Sequence, residues 1–173
     1  RYRVSDKLSF LYAFSFGFDP FNPGFSTYDS VGNPIFGARK LYTFVNTLTT
    51  KYIFKNNLSF SLNIRHYWNT GEYLHYYNLL SDGMLSEISS YGGTSNYSYN
   101  TFNVDAVFSW VFAPGSLLTL VYKNAIEKND VIIPKSYSTD FSDMLQSPQT
   151  NSISLKLLYY LDYQDIKKRK KSV

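Results

Sequence analysis

The sequence predicts an all-β protein, an antiparallel up-and-down barrel that crosses a membrane with its strands. Three observations predict it. Six segments alternate large apolar and small or polar residues with period two. The connections between them are by turns tight and long, as in outer-membrane barrels. The charges inside these segments all fall on the face opposite the aromatic residues.

The opening "RYRV" reads as the end of one strand and "SDK" as a tight turn, so the sequence reads as a piece of a longer protein that begins just before a hairpin. The first full strand is 8–18, with Leu8, Phe10, Tyr12, Phe14, Phe16 and Phe18 on one face and Ser9, Leu11, Ala13, Ser15 and Gly17 between them. The second is 41–54, aligning Tyr42, Phe44, Leu48, Tyr52 and Phe54. The third is 58–68, aligning Leu58, Phe60, Leu62, Ile64, His66 and Trp68. The fourth is 102–112, with Phe102, Val104, Ala106, Phe108, Trp110 and Phe112. The fifth is 117–125, with Leu118, Leu120 and Tyr122. The sixth is 152–163, with Ile153, Leu155, Leu157, Tyr159, Leu161 and Tyr163. No amphipathic helix of useful length stands out. "KNN" (55–57) and "APGS" (113–116) are tight turns. Residues 19–40, 69–101 and 126–151 are long loops, a length usually reserved for function.

Six charges lie within the strands: Lys51, Arg65, Asp105, Lys123, Lys156 and Asp162. All share the face opposite the aromatics, and a charge facing lipid at the bilayer midplane costs about 2–4 kcal/mol. The rest of that face is Ser, Thr, Asn and Ala, such as Ser59, Ser61 and Asn63, which suits a lumen better than bulk water. Eleven residues at about 3.4 Å span roughly 37 Å, and tilted by about 45° they rise roughly 26 Å, close to an outer-membrane apolar band. The expected lipid-facing set is therefore Phe10, Tyr12, Phe14, Phe16, Phe44, Leu48, Phe60, Leu62, Ile64, Phe108, Trp110, Leu120, Leu155, Leu157 and Tyr159. The expected lumen set is Lys51, Asn63, Arg65, Asp105, Lys123, Lys156 and Asp162. Tyr52, Phe54, Phe112 and Tyr163 would form an inner girdle, and Phe18, Tyr42, Trp68 and Phe102 an outer one. Six or seven strands fall short of the roughly eight that close a membrane barrel, and an open edge in lipid leaves backbone groups unsatisfied. Residues 1–163 therefore read as the C-terminal portion of a larger barrel.

Composition agrees. The 173 residues suffice for one domain. They include 17 Tyr and 14 Phe, yet mean hydropathy is only −0.26 and no run of about 18 apolar residues could span as a helix. Cysteine is absent, so neither a disulfide framework nor a thiolate metal site exists in this chain. The net charge of +4 is owed to "KKRKK" (167–171), and the remainder is close to neutral. The basic balance thus describes the tail and implies no nucleic-acid partner. That tail, 164–173, would sit in the periplasm against anionic headgroups, or extend into solvent.

Catalytic signals are missing. There is no phosphate loop, nucleophile elbow, H-E-x-x-H or paired-carboxylate signature, so no enzyme and no cofactor is expected. His66, beside Trp68, reads as an interfacial histidine. His75, near Glu72, reads as a solvated loop or strand-extension residue rather than a metal ligand. Asp130, Asp140 and Asp143 lack calcium-loop spacing. "SSYGGTSNYSYN" in the second long loop has the Tyr, Ser, Gly and Asn of adaptable binding surfaces, suited to stacking on sugar rings, although a plain polar loop has the same composition. Arg65, Lys123 and Lys156 either bias a lumen toward anions or pair with Asp105 and Asp162.

The blocks "NTLTTKYIFKNNLSFSLNIRHYWN", "NVDAVFSWVFAPGSLLTLVYKN" and "LKLLYYLDYQDIKK" resemble the C-terminal end of a large Bacteroidota outer-membrane family that carries a domain of unknown function. That family often has an N-terminal carbohydrate-binding module of the family-nine type. The resemblance runs from about Ile35 onward. It implies a barrel and a location, and offers no catalytic residues to carry over. "DSV" (29–31) also resembles the short O-glycosylation sequon of these bacteria, making Ser30 a candidate site of modification. The expected function is a passive barrel wall in a surface glycan or nutrient-handling protein, with membrane lipid, glycan and other outer-membrane proteins as partners. The alternatives are a subunit of an outer-membrane secretion or barrel-assembly complex, and a soluble all-β binding protein.

Overall fold

The computed structural model describes residues 1–161. Its elements in chain order are β1 (Tyr2–Arg3), β2 (Leu8–Tyr28), β3 (Pro34–Lys55), β4 (Leu58–Leu79), β5 (Leu85–Glu87), β6 (Tyr97–Ala113), β7 (Ser116–Asp130), α1 (Tyr137–Leu145) and β8 (Gln149–Leu158). The eight strands form one sheet in the order β1-β2-β3-β4-β6-β7-β8, with β5 paired to the far end of β4. Every pairing is antiparallel, so the chain runs up and down between neighbours. The sheet is open: β1 and β8 are its edges, and β1 covers only Ser9 and Phe10 of β2.

At one end the connections are tight. Asn56 and Asn57 turn β3 into β4, and Pro114 and Gly115 turn β6 into β7. Gly115 sits at φ 72°, a left-handed position that a side chain resists and glycine accepts. At the other end the strands run much further than period two alone suggests. The expected loop 19–40 is instead a continuation of the β2–β3 hairpin to a short turn at 29–33, capped by the Asp29 carboxylate on the Val31 and Asn33 amides. The expected loop 69–101 begins only after β4 has reached Leu79, and β8 starts at Gln149 and ends at Leu158 rather than running 152–163.

The pattern was hidden by bulges. Register shifts fall between Asp19 and Asn22 and between Phe25 and Thr27 on β2, and at Ala38–Arg39 of β3 against Tyr73–His75 of β4. Each shift breaks the alternation, since an extra residue moves the following side chains to the other face. Pro20 lies within the Asp19–Asn22 register shift and Pro23 opposite Ala38, on the stretch of β2 that β1 does not cover, positions where proline is tolerated in a sheet.

The interior is small. The buried apolar residues are Ile35, Ala38, Trp68, Tyr76, Ile126 and Met144. By contrast Phe14, Phe16, Phe18, Trp110, Leu120, Ile153, Leu155, Leu157 and Tyr159 are all exposed. A soluble domain of this length buries most such residues.

Candidate functional site

Cross-strand register assembles the sheet's two faces from its rows. On one face Phe16, Phe44 and Trp68 lie side by side, then Tyr12, Leu48, Ile64 and Val104, then Tyr52, Phe60, Phe108, Leu120 and Leu155. Phe10, Phe14, Leu62, Trp110 and Leu157 share it. Tyr159 falls just past β8 and stacks on Phe112 with centroids 6.1 Å apart. Phe16–Phe44 at 4.9 Å and Phe18–Tyr42 at 4.7 Å are direct cross-strand aromatic pairs, each contributing about 0.2–1 kcal/mol.

The opposite face carries Lys51, Asn63, Arg65, Asp105, Lys123 and Lys156 among Ser and Thr. Asp105 takes both neighbours: Arg65 Nη2 at 3.1 Å and Lys123 Nζ at 3.7 Å. Asp162 and the basic tail lie outside the described residues.

α1 is the element that sequence reading missed. It lies on the aromatic face at the end of the long connections, against β6 and β7. Ser136 caps it by accepting a hydrogen bond from the Thr139 amide at 3.2 Å. Tyr137, Phe141, Met144 and Leu145 recur at helical spacing, so the cap and the apolar stripe together were a readable signal. The segment is nine residues long, too short to be stable without packing.

The packing is polar at its centre. Asp140, 2% exposed, receives Lys128 Nζ at 2.7 Å on Oδ1, and Trp68 Nε1 at 2.8 Å and Ser98 Oγ at 3.1 Å on Oδ2. Asn100 Nδ2 donates to the same Oδ2 at 3.2 Å. Burial pushes the Asp140 carboxyl up, but the Lys128 ammonium and the Trp68 indole outweigh it and hold the pKa below its usual value. Lys128, near the upper end of β7 beneath α1, is raised in turn, first by its hydrogen bond to Asp140. With both carboxylate oxygens occupied by donors, this cluster is a clasp that fastens α1 to the sheet. No buried side-chain polar atom among the described residues lacks a partner.

This corrects two expectations. His66 and Trp68 are not exposed at an outer girdle; α1 covers them, and they are 4% and 6% exposed. Asn100 turns its amide toward Asp140, which leaves its Oδ1 to accept from His66 Nε2 at 2.9 Å. His66 Nδ1 then accepts the Tyr137 hydroxyl at 3.0 Å. Beneath α1 an apolar groove of about 200 Å³ opens between Tyr137, Phe141, Tyr12, Leu48 and Ile64.

His75 pairs with Glu87 of β5 at 2.8 Å, not with Glu72, and both are exposed. No group of three metal-ligating side chains occurs among the described residues. The segment after β5 folds back on β4: Tyr91 packs on Tyr76 at 4.1 Å, and the Ser95 amide donates to the Tyr76 hydroxyl. Nearby, Arg39 bonds Asn22 and Tyr73 and lies over the Tyr73 and Tyr97 rings. These rings crowd Gly37 and Gly71: a Cβ at Gly37 would clash with the Tyr73 ring and one at Gly71 with the Tyr97 ring, so a side chain at either position must push the ring away. Ser30 is exposed in the turn between β2 and β3.

Among known proteins, a family model described as "Domain of unknown function (DUF5916)" matches residues 1–170. No curated protein and no solved structure matches.

Proposed function

The chain belongs to this family, whose function is unknown, and we propose that it forms the C-terminal wall of an outer-membrane β-barrel in a surface glycan- or nutrient-handling protein. The wall works passively, as one side of a lumen for solutes or as a scaffold for the structure above it. The observation that carries this reading is the aromatic face: a band from β2 to β8 whose Phe, Leu and Trp side chains are exposed on β2, β7 and β8 and mostly half-buried on the strands between, with the strand charges on the other face except Lys128, which lies in the Phe16–Phe44–Trp68 row and is held by Asp140. Water penalises such a surface by about 25 cal/mol per Å² of apolar area, and exposed apolar patches of this extent mark interaction or membrane surfaces. Lipid removes the penalty.

The open edges fit the same reading. Unpaired β2 and β8 edges need strands beside them in a bilayer, so the wall belongs to a larger barrel. Tight turns then face the periplasm, and the β2–β3 hairpin, the connection from β4 to β6 and the α1 segment between β7 and β8 rise outside. The glycan and nutrient component rests on the likeness of the sequence blocks. A second reading, a structural subunit of an outer-membrane assembly, is favoured by the tall β2–β4 extension, which presents folded protein surface beyond the band.

The test is detergent dependence. The purified protein should stay folded only in detergent or lipid, and a folded, monomeric protein in plain buffer would refute the wall. Pull-down from native membranes separates the free-standing barrel from the subunit.

A further inference from the structure

The face opposite the aromatics is not electrically balanced. Within the band it carries Arg3, Lys51, Arg65, Lys123 and Lys156, and register places them there: Arg3, Ser9, Lys51 and Ser61 form one row across β1–β4, while Lys156 pairs with Thr119 and Lys123 with Asp105. Asp105 is the one carboxylate on this part of the face among the described residues, and it is shared by two cations. Arg3 is held by Asp6 in the adjoining turn at 2.9 Å. No carboxylate of the described residues lies within ion-pair distance of Lys51 or Lys156. At the tight-turn end a cavity of about 410 Å³ opens among Arg1, Arg3, Asp6, Lys7 and Lys51. Higher on this face Glu127 lies in the row of Ser15, Val45, Tyr67 and Thr101, and Asp19 accompanies Arg39, so the positive excess belongs to the lower rows and their mouth.

We infer that this face draws small anions along the barrel: the wall is anion-selective, with carboxylate- or phosphate-bearing solutes as its substrate class. The inference rests on the membrane-wall reading, which makes this face a lumen. The physics is that of a cleft lined by one sign of charge with low-dielectric sides, which concentrates the opposite ion. Among the described residues, Asp105 and Asp6 against Arg3, Lys51, Arg65, Lys123 and Lys156 leave a net positive field over these lower rows. Its reach is about 10 Å at 0.1 M salt and about 3 Å at 1 M, and surrounding hydroxyls and amides such as Ser9, Ser61 and Asn63 supply hydrogen bonds without opposing charge.

The experiment is ion selectivity in planar bilayers, on the protein in its complete natural form, with a potassium chloride gradient as the probe. Expected is a chloride-to-potassium permeability ratio above one at 0.1 M that falls toward one at 1 M. Lys51→Glu with Lys156→Glu should lower the ratio several-fold, and the milder Lys51→Gln with Lys156→Gln should lower it less, in the same direction. The Gln pair keeps the test alive if the Glu pair fails to assemble. A conducting barrel whose ratio ignores both pairs overturns the anion inference and leaves the wall intact. So does a barrel that inserts in liposomes but conducts nothing. A protein that never enters the bilayer overturns the wall itself.

Discussion

Leu155 and Ser154 are neighbours on β8 that point to opposite faces, and they should respond oppositely to the same substitution. Leu155 stands 67% exposed between Ile153 and Leu157 on the aromatic face. Ser154 pairs with Val121 on the other. Replacing an exposed surface residue in water changes stability by no more than about 0.5 kcal/mol. An arginine on a lipid face costs about 2–4 kcal/mol near the midplane, which is roughly a thirty-fold to several-hundred-fold change in the folding equilibrium. Leu155→Arg should therefore lower folding stability in phospholipid vesicles by about 2–4 kcal/mol, and Ser154→Arg by less than about 0.5 kcal/mol. Urea titration in vesicles, followed by tryptophan fluorescence and by heat-shifted gel mobility, reads both values. Equal effects of the two substitutions would refute the assignment of faces.

Three further predictions concern α1 and the upper sheet. Asp140→Asn removes the buried half of the pair and leaves Lys128, 22% exposed at its side chain, only the exposed Asp143 carboxylate at 3.8 Å; losing a charge-assisted hydrogen bond of this kind costs about 1.5–3 kcal/mol, so amide exchange over 137–145 should accelerate while the membrane band stays protected. Unchanged exchange there would contradict the clasp. The same pair sets a pH window. Asp140 has a lowered folded pKa, so its stabilisation is present above the unfolded value of 3.8 and is lost as pH falls through the folded one. Lys128 has a raised pKa, so its share is present below 10.5 and is lost as pH rises through the folded value. Trp68 fluorescence should hold steady across neutral pH and change at both extremes, and a transition near pH 7 would place the controlling group elsewhere. Finally, Gly71→Ala should drive a Cβ into the Tyr97 ring and cost about 1–3 kcal/mol, measurable as a lower urea midpoint. A neutral result would mean that Tyr97 turns aside freely.

The lower half of the sheet was legible because its register shifts, at Ile53–Lys55 and Val111–Ala113, fall only beside the tight turns. From Leu8 to Phe18 and from Ser59 to Trp68 each residue pairs in unbroken register with its neighbour strand, so sequence parity equals structural face. Above Asp19 parity fails, since bulges at Asp19–Asn22 and Ala38–Arg39 swap faces, and the prolines and glycines there mimic a loop. The charge of Asp105 could be placed on its face from spacing, but its sharing between Arg65 and Lys123 depends on which strands are neighbours. His66 shows the sharper limit. Its phase among Ile64 and Trp68 is right, yet its surroundings come from Tyr137, Asn100 and Phe141, far along the chain. No local pattern around His66 encodes a helix that closes over it. Asp140, scattered by spacing alone, becomes the centre of the clasp only once β4, β6 and β7 bring Trp68, Ser98, Asn100 and Lys128 together.

The central claim is that the aromatic face meets lipid. This chain contains no cysteine, so single cysteines placed in turn at positions 9 to 17 can carry a fluorophore without background from the chain itself. Reconstituted in vesicles of brominated phospholipid, the labels should be quenched with period two: strongly at 10, 12, 14 and 16, and weakly at 9, 11, 13, 15 and 17. Quenching at the odd positions, or at none, would contradict the account.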